Sequence, residues 1–436
     1  MEYTFALISL GCAKNLVNSE QMLHIMSEAG FALIGDVEIA DVVIINTCGF
    51  IDEAKQEAID TIFSTYAVNK NIIVTGCLPE RYKSEIAKEL PEVKAFLGVG
   101  SFDKIAIAAK AVLDSKNYIE FSDNSAPIDE LPRVISTGPS WAYLRIAEGC
   151  NNFCSFCAIP YIRGRYRSRS MENILAEARD LAEHGCKEII VIAQDITRYG
   201  TDIYGKRMLA TLCRKISEIE SIEWIRLHYL YPDQFDDELI DEIASNDKIV
   251  KYLDIPIQHI NNEILKKMNR RGTGDDIRCL FTKLRKKIPG LVLRTSLIAG
   301  LPGESEKEFE ELCEFLKEAK IERAGVFPFS PEEGTPAALM EHCSFDEAHR
   351  RADLIMSEIQ SPIMDDFCNS FIGKTIRVLT QYYDEENDLL VGRSYADSPD
   401  IDGEVCFFGK CKIGEFAQVL IEEAEDGILY GKEVYG

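Results

Sequence analysis

Histidine is scarce in this chain, six in 436 residues. None lies within the one tight cysteine cluster, Cys150, Cys154 and Cys157, which works against a zinc knuckle closed by a neighbouring imidazole. Basic side chains are also short: 48 Lys and Arg stand against 73 Asp and Glu, a formal net charge of -25. Such an acidic chain repels phosphate, which disfavours broad nonspecific nucleic-acid binding and leaves either a basic partner or a merely solubilising surface. No apolar run reaches the length needed to cross a bilayer, and no terminal run resembles a secretory signal. The expectation is a cytoplasmic protein with no membrane partner.

Cysteine is plentiful, 14 residues. In a chain of this size without an export signal, metal ligation is a better use for the clustered ones than a disulfide scaffold. Cys150, Cys154 and Cys157 form a CxxxCxxC triplet that leaves tetrahedral zinc one thiolate short. Three thiolates suit a 4Fe-4S cluster with one iron open to an outside ligand. A loop of buried cysteines, or a zinc site completed by a distant His, is the bland alternative.

Length and a 46% hydrophobic content allow two or three domains with real cores. The runs Tyr3 to Leu10, Asp41 to Thr47 and Asn71 to Gly76 are short, apolar and bounded by turn residues, with helical periodicity between them. They read as parallel strands. Cys12, Cys48 and Cys77 each follow such a run. Carboxyl ends of parallel strands share one sheet edge, so these three cysteines are expected to converge as a second thiolate trio. Alternatively each is a small buried residue ending a strand.

Pro127, Pro132, Gly138 and Pro139 then interrupt the pattern and read as a linker. Six further strand candidates follow: Trp141 to Ile146, Glu188 to Ala193, Ser221 to His228, Lys251 to Ile257, Leu291 to Ala299 and Ile321 to Pro328. With helices between them they imply a parallel sheet, closed or partly closed into a barrel. Past Ser361, the segments Thr375 to Leu379, Leu389 to Val391, Glu404 to Phe408 and Ala417 to Ile421 suggest a small antiparallel barrel. Residues Met364 to Gly436 carry 16 acidic against 6 basic side chains, a balance of -10. Two basic stretches interrupt the acidic background. Arg163, Arg165, Arg167 and Arg169, and the group Lys266, Lys267, Arg270 and Arg271, could grip carboxylates or phosphates, or form solvated paired faces. His228 and His259 read as interior histidines.

The triplet, with Phe156 before its last cysteine, resembles the signature of radical S-adenosylmethionine (SAM) enzymes. More narrowly, Ala142 to Cys150 and Ala158 to Arg165 resemble the radical SAM methylthiotransferases, as do Leu10 to Asn15, Asn46 to Phe50 and Thr75 to Cys77. This resemblance implies an α/β fold: an N-terminal open parallel βα domain (3–118), a linker (119–138), a central partial (β/α)6 radical SAM barrel (139–361) and a C-terminal TRAM β-barrel (364–436). It also implies two 4Fe-4S clusters, one on Cys12, Cys48 and Cys77 and one on Cys150, Cys154 and Cys157, with SAM contacted by Phe156, Gln194, Arg226 and Gly300. For Arg226 an ion pair, and for Gln194 a strand-end cap, stand as alternatives.

Ser9 to Glu20, Gly49 to Ala54 and Gly392 to Gly403 resemble the ribosomal-protein branch of that family, which adds a methylthio group to the β-carbon of an aspartate in small-subunit ribosomal protein twelve. A TRAM domain ordinarily meets RNA through basic residues. The acidic balance here departs from that pattern and favours a basic protein, with nucleic acid only incidental. The alternative is a tRNA adenosine methylthiotransferase. Either chemistry needs an electron donor as partner.

Overall fold

The computed structural model describes residues 3–128 and 130–435. Met1, Glu2, Asp129 in the expected linker and Gly436 at the end of the expected small barrel lie outside the described residues. The chain divides into two compact units. The first gathers the residues up to Ser136 with Ala147–Arg169 and Ser330–Leu339.

In the first unit, β1 (Tyr3–Ser9), β2 (Phe31–Leu33), β3 (Val42–Thr47), β4 (Ile72–Gly76), β5 (Ala95–Leu97) and β6 (Tyr118–Glu120) form one parallel sheet in the order β2-β1-β3-β4-β5-β6. The two central strands are buried along their whole length. Their side chains alternate between two cores: Val42, Ile44 and Ile73 on one face, Val43, Ile45, Ile72 and Val74 on the other. That two-sided burial is why these segments read as unbroken apolar runs rather than as alternating ones. Each fully buried Ile or Val contributes roughly 1.5–3 kcal/mol. The short strands β2, β5 and β6 were not expected from the sequence, because three residues carry too little pattern to identify a strand.

Residues 121–140 hold no helix or strand among those described. The stretch is nevertheless tied down. The carboxylate of Glu20, buried in helix α1 (Ala13–Glu28), pairs with Arg133 and accepts from the Ser136 backbone N–H at 2.8 Å and its hydroxyl at 2.9 Å. The Glu20 carbonyl takes the N–H of Val134, and Leu131 packs on the core beneath. Proline and glycine in this segment therefore mark an extended strap whose polar groups are met by a helix, rather than a free chain.

Strand β7 (Trp141–Arg145) belongs to the second unit, after which the chain supplies the first with an antiparallel ribbon, β8 (Ala147–Glu148) on β9 (Arg167–Ser168). The second unit is a six-stranded sheet in the order β14-β13-β12-β11-β10-β7, adding β10 (Glu188–Ile192), β11 (Trp224–Leu227), β12 (Ile249–Asp254), β13 (Val292–Ala299) and β14 (Arg323–Pro328). All pairs are parallel. The sheet is open between β14 and β7, the partial form expected.

Strands β15 (Thr375–Asp384), β16 (Leu389–Arg393), β17 (Val405–Phe408), β18 (Phe416–Glu425) and β19 (Ile428–Glu433) close a small barrel in the order β15-β16-β17-β19-β18. Four of its pairings are antiparallel, while β17 and β19 run parallel. Among the described residues no helix is long and apolar enough to cross a membrane.

Within this unit the loop Ser394–Gly403 is bound to the larger sheet by buried ionic groups. Glu188 accepts from Arg226 Nε at 2.7 Å and from Arg393 at 2.6 Å, all three side chains being shielded from water. Arg323 meets Asp397 at 2.6 Å, the Tyr252 hydroxyl donates to Asp402 at 2.6 Å, and Ser398 lies 3.1 Å from His228 Nε2. Removing one member of such a group strands the others without solvent. Glu188→Ala is expected to destabilise this unit by about 3–5 kcal/mol. Urea unfolding followed by tryptophan fluorescence checks it, since both tryptophans, Trp141 and Trp224, lie here. Although burial opposes ionisation, Arg393 and Arg226 hold the Glu188 carboxyl below its ordinary value of 4.5. Its stabilisation is thus full above that value and fades as pH falls below it, a dependence that Glu188→Gln should weaken.

Candidate cofactor site

Each N-terminal cysteine sits where a strand gives way to a helix. Cys12 is the residue before α1, Cys48 follows β3 and precedes helix α2 (Asp52–Val68), and Cys77 begins helix α3 (Cys77–Arg81) directly after β4. The parallel register carries all three to one edge, and the loops touch. A Cβ built on Gly11, whose φ is +87°, would stand 2.8 Å from Cys48 Cβ, and one on Gly49 would stand 2.8 Å from Leu78 Cα. Glycine is required at both positions by this close approach.

Asn15, buried on the first turn of α1, ties the three loops together. Its amide donates to the carbonyls of Leu10 at 3.1 Å and Thr47 at 2.9 Å, and its oxygen accepts from the Cys77 thiol at 3.6 Å. The same oxygen accepts from Arg163. Asn15 stood in the sequence only as part of a matching segment. The available signal was an asparagine in an otherwise helical stretch, where that residue is unfavourable unless its side chain has a local task.

The thiols influence one another. Burial and the nearby Cys77 push the Cys48 thiol up to about 12. Burial likewise raises Cys77, against the pull of Arg163. Crowding by its surroundings opposes ionisation of Cys12, although its surface is exposed, but Lys14 and Arg163 hold it below its ordinary value. Three crowded thiols, each of which the others' ionisation would oppose, sit beside one buried guanidinium and form a donor set that a multi-iron cation would favour in its deprotonated form, because ligation deprotonates a thiol outright. Among the described residues no three His, Cys, Asp or Glu side chains form a pocket for a single metal ion.

Cys150, Cys154 and Cys157 lie on the loop closed by the β8–β9 ribbon, in the same unit. The Cys150 N–H donates to the Gly164 carbonyl at 3.1 Å and the Cys157 N–H to the Cys154 carbonyl at 3.0 Å. Gly149, at φ +78°, permits the closure, since a Cβ there would lie 2.2 Å from the Arg165 carbonyl oxygen. Segment Ser330–Leu339 braces the loop through an N–H from Ala337 to the Ser155 carbonyl at 2.9 Å. The same segment holds the sheet side, where Glu332 pairs with Arg81 at 2.7 Å and Lys55 at 2.9 Å. Ala158 and Ile162, just past the second trio, pack directly on Cys77. The loop of the second trio thus packs beside a member of the first, and each set of three cysteines has the donor chemistry that iron-sulfur ligation uses.

The alternating arginines, which could grip carboxylates or phosphates or form a solvated paired face, meet partners within the chain. Arg163 is buried, Arg165 lies over the Phe153 ring at 4.4 Å, Arg167 donates to the Arg165 carbonyl at 2.7 Å, and Arg169 pairs with Glu130. The second basic group is partly structural too: Arg270 is buried, donating to the Pro256 carbonyl and lying over Tyr231.

Of the expected SAM contacts, Phe156 is half-buried between Ser155 and Cys157, and Gln194 is half-buried just past β10. Arg226 differs from expectation. It is fully buried and committed to Glu188 and to the carbonyls of Tyr395 and Ser394, so it holds the small barrel rather than presenting a cation to a ligand. Gly300 also differs, because its N–H is taken by Glu304 at 2.9 Å. Glu304 in turn meets Arg351 at 2.8 Å and lies 3.3 Å from His259. That self-contained loop leaves the Gly300 amide no role as an anion cradle.

Residues 144–316 match the radical SAM superfamily, residues 4–98 match the uncharacterized protein family UPF0004, and residues 372–434 match the TRAM domain. Fold and matches together define a radical SAM superfamily protein carrying an extra N-terminal cysteine domain and a TRAM barrel. Solved structures agree at the level of fold. The radical SAM methyltransferase TsrM of Kitasatospora setae aligns with a TM-score of 0.56 at 14% identity, over 78% of this chain and 77% of that one. The cobalamin-dependent radical SAM enzyme OxsB aligns at 0.52 and 14%, over 81% and 56%.

Among curated proteins, ribosomal protein uS12 methylthiotransferase RimO of Acetivibrio thermocellus is 46% identical over 100% of this chain and 99% of its own. The RimO of Clostridium botulinum is 47% identical over 98% and 97%, and that of Thermoanaerobacter sp. 45% over 98% and 99%. The chain belongs to the RimO family of methylthiotransferases.

Asn15→Ala strands the Leu10 and Thr47 carbonyls and one side of Arg163, at roughly 1–3 kcal/mol for each unmet partner. The expected result is lower retention of iron and labile sulfide by the N-terminal trio, assayed in anaerobically purified protein that also carries Cys154→Ala.

Proposed function

We infer that this protein adds a methylthio group to the β-carbon of an aspartate in ribosomal protein uS12. The observation that carries this reading is the 45–47% identity, across nearly the whole of both chains, to proteins bearing that name. Cys150, Cys154 and Cys157 would hold one 4Fe-4S cluster with SAM at its open iron, and Cys12, Cys48 and Cys77 a second. When bound, these cofactors supply one-electron SAM cleavage, hydrogen removal from unactivated carbon, and delivery of sulfur and methyl.

The chain's own residues do the rest. Asn15 and Arg163 orient the N-terminal thiols, the β8–β9 ribbon and Gly149 shape the second loop, and the apolar packing of Ala158 and Ile162 on Cys77 excludes water. Phe156 and Gln194 remain the proposed SAM contacts. Arg226 and Gly300 leave that set, because their donors already have partners.

The acidic small barrel supports a basic protein substrate. Glu385, Glu386, Asp388, Glu422, Glu423 and Asp426 are exposed, whereas phosphate contact needs clustered cations. A modifier of a ribosomal protein works in the cytoplasm and draws on an electron donor there.

Anaerobic incubation with SAM and reductant, offering ribosomal subunits or tRNA in parallel, tests the assignment by mass spectrometry. Methylthiolation of the ribosomal protein is expected; modification of tRNA alone would overturn it. In the same assay Cys154→Ala should abolish 5'-deoxyadenosine formation, a loss of about 10²-fold or more if the loop is the site of SAM cleavage.

A further inference from the structure

Arg163 stands where the two cysteine loops meet. Its side chain is buried and its guanidinium serves four acceptors: Glu148 Oε2 at 3.0 Å, Asn18 Oδ1 at 3.3 Å, Asn15 Oδ1, and the Cys77 sulfur at 3.5 Å. Two of these partners come from α1, beside Cys12. A third is Glu148, two residues before Cys150. The fourth is itself an expected cluster ligand.

A buried guanidinium is costly unless its charge is met. Glu148 supplies one formal negative charge, and the remaining contacts are two neutral amides and a sulfur. One terminal nitrogen serves Glu148 and Asn18, while the other is directed at Asn15 and the Cys77 sulfur, so that edge of the guanidinium faces the place where a thiolate-bound cluster would bring negative charge. Hydrogen bonds and net charge around cluster sulfurs are known levers on reduction potential, and they also fix ligand geometry.

We propose that Arg163 is a positioning residue for the N-terminal cluster, holding the Cys77 sulfur in place and raising that cluster's reduction potential through its fixed positive charge. This rests on the proposed ligation by Cys12, Cys48 and Cys77. Because Arg163 belongs to the loop that carries the other trio, the arrangement also couples the geometry of one ligand set to the other. Lysine would keep the charge but lose the planar fork that serves an amide and a sulfur from one edge. Methionine would keep comparable bulk and lose the charge.

The experiment uses full-length protein with Cys150, Cys154 and Cys157 all changed to Ala, so that only the N-terminal trio can hold iron. Iron and sulfide content is measured first, then the midpoint potential by EPR-monitored redox titration. If this parent protein binds no cluster, the underlying ligation is wrong, and that result is separate from the role of Arg163. If it does bind one, Arg163→Met is expected to shift the potential to more negative values and to alter the EPR line shape, with Arg163→Lys recovering part of the potential shift. A potential in Arg163→Met equal to the parent's overturns the proposal.

Should Arg163→Met fail to retain a cluster, Glu148→Gln decides. Removing the competing carboxylate leaves the guanidinium charge less neutralised, so the potential should move to more positive values. No movement there overturns the proposal.

Discussion

The arrangement depends on a buried amide and a buried guanidinium meeting at one sheet edge. Parallel strands bring Cys12, Cys48 and Cys77 to the same edge, but strand ends are followed by loops, and loops left alone would scatter three thiols. Asn15 restrains them by spending both amide hydrogens on the carbonyls of two loops and its oxygen on the third loop's thiol. Arg163 extends the restraint to the second cysteine loop through Glu148. All but the part-buried Asn15–Leu10 bond are shielded from water, so each lost buried partner would leave an unmet polar group.

The second unit uses the same physics for a different end. Glu188, Arg226, Arg393, Arg323 and Asp397 place several charges out of water between the partial barrel and the loop of the small barrel. Buried pairs of this kind contribute little net stability over well-packed apolar residues, but they penalise any arrangement in which the partners are displaced. Their value here is register: Tyr252 with Asp402 and His228 with Ser398 repeat the same match further along the loop. The small barrel is thereby fastened through a segment whose own sequence, rich in Ser and Asp, would otherwise read as a surface turn.

Much of this was legible from the chain. All six barrel strands and three of the six N-terminal strands stood where short apolar runs ended in turn residues, because burial on both faces writes a continuous hydrophobic pattern. The short strands β2, β5 and β6 and the last strand of the small barrel, Ile428–Glu433, were missed. The first three are too short to carry a period, and β19 includes Gly431 and Lys432, which weaken its strand pattern. Arginines were the poorest guide. For Arg163 and Arg226 the pattern left open a ligand grip or an ion pair at the surface, and the structure pairs both in the interior, since a long side chain can be carried inward wherever a carboxylate and several carbonyls or amides await it.

By itself the sequence determined the six cysteines, their spacing, the alternation of strand and helix, and the acidic balance of the last domain. Those properties are local or additive, so counting and periodicity recover them. Only the tertiary structure decided that Asn15 joins three loops, that Ala158 and Ile162 press on Cys77, and that Arg226 and the Gly300 amide are already engaged. Each of these is a pairing across tens or hundreds of residues, and whether a polar group inside a protein is available depends on which partner the fold brings to it.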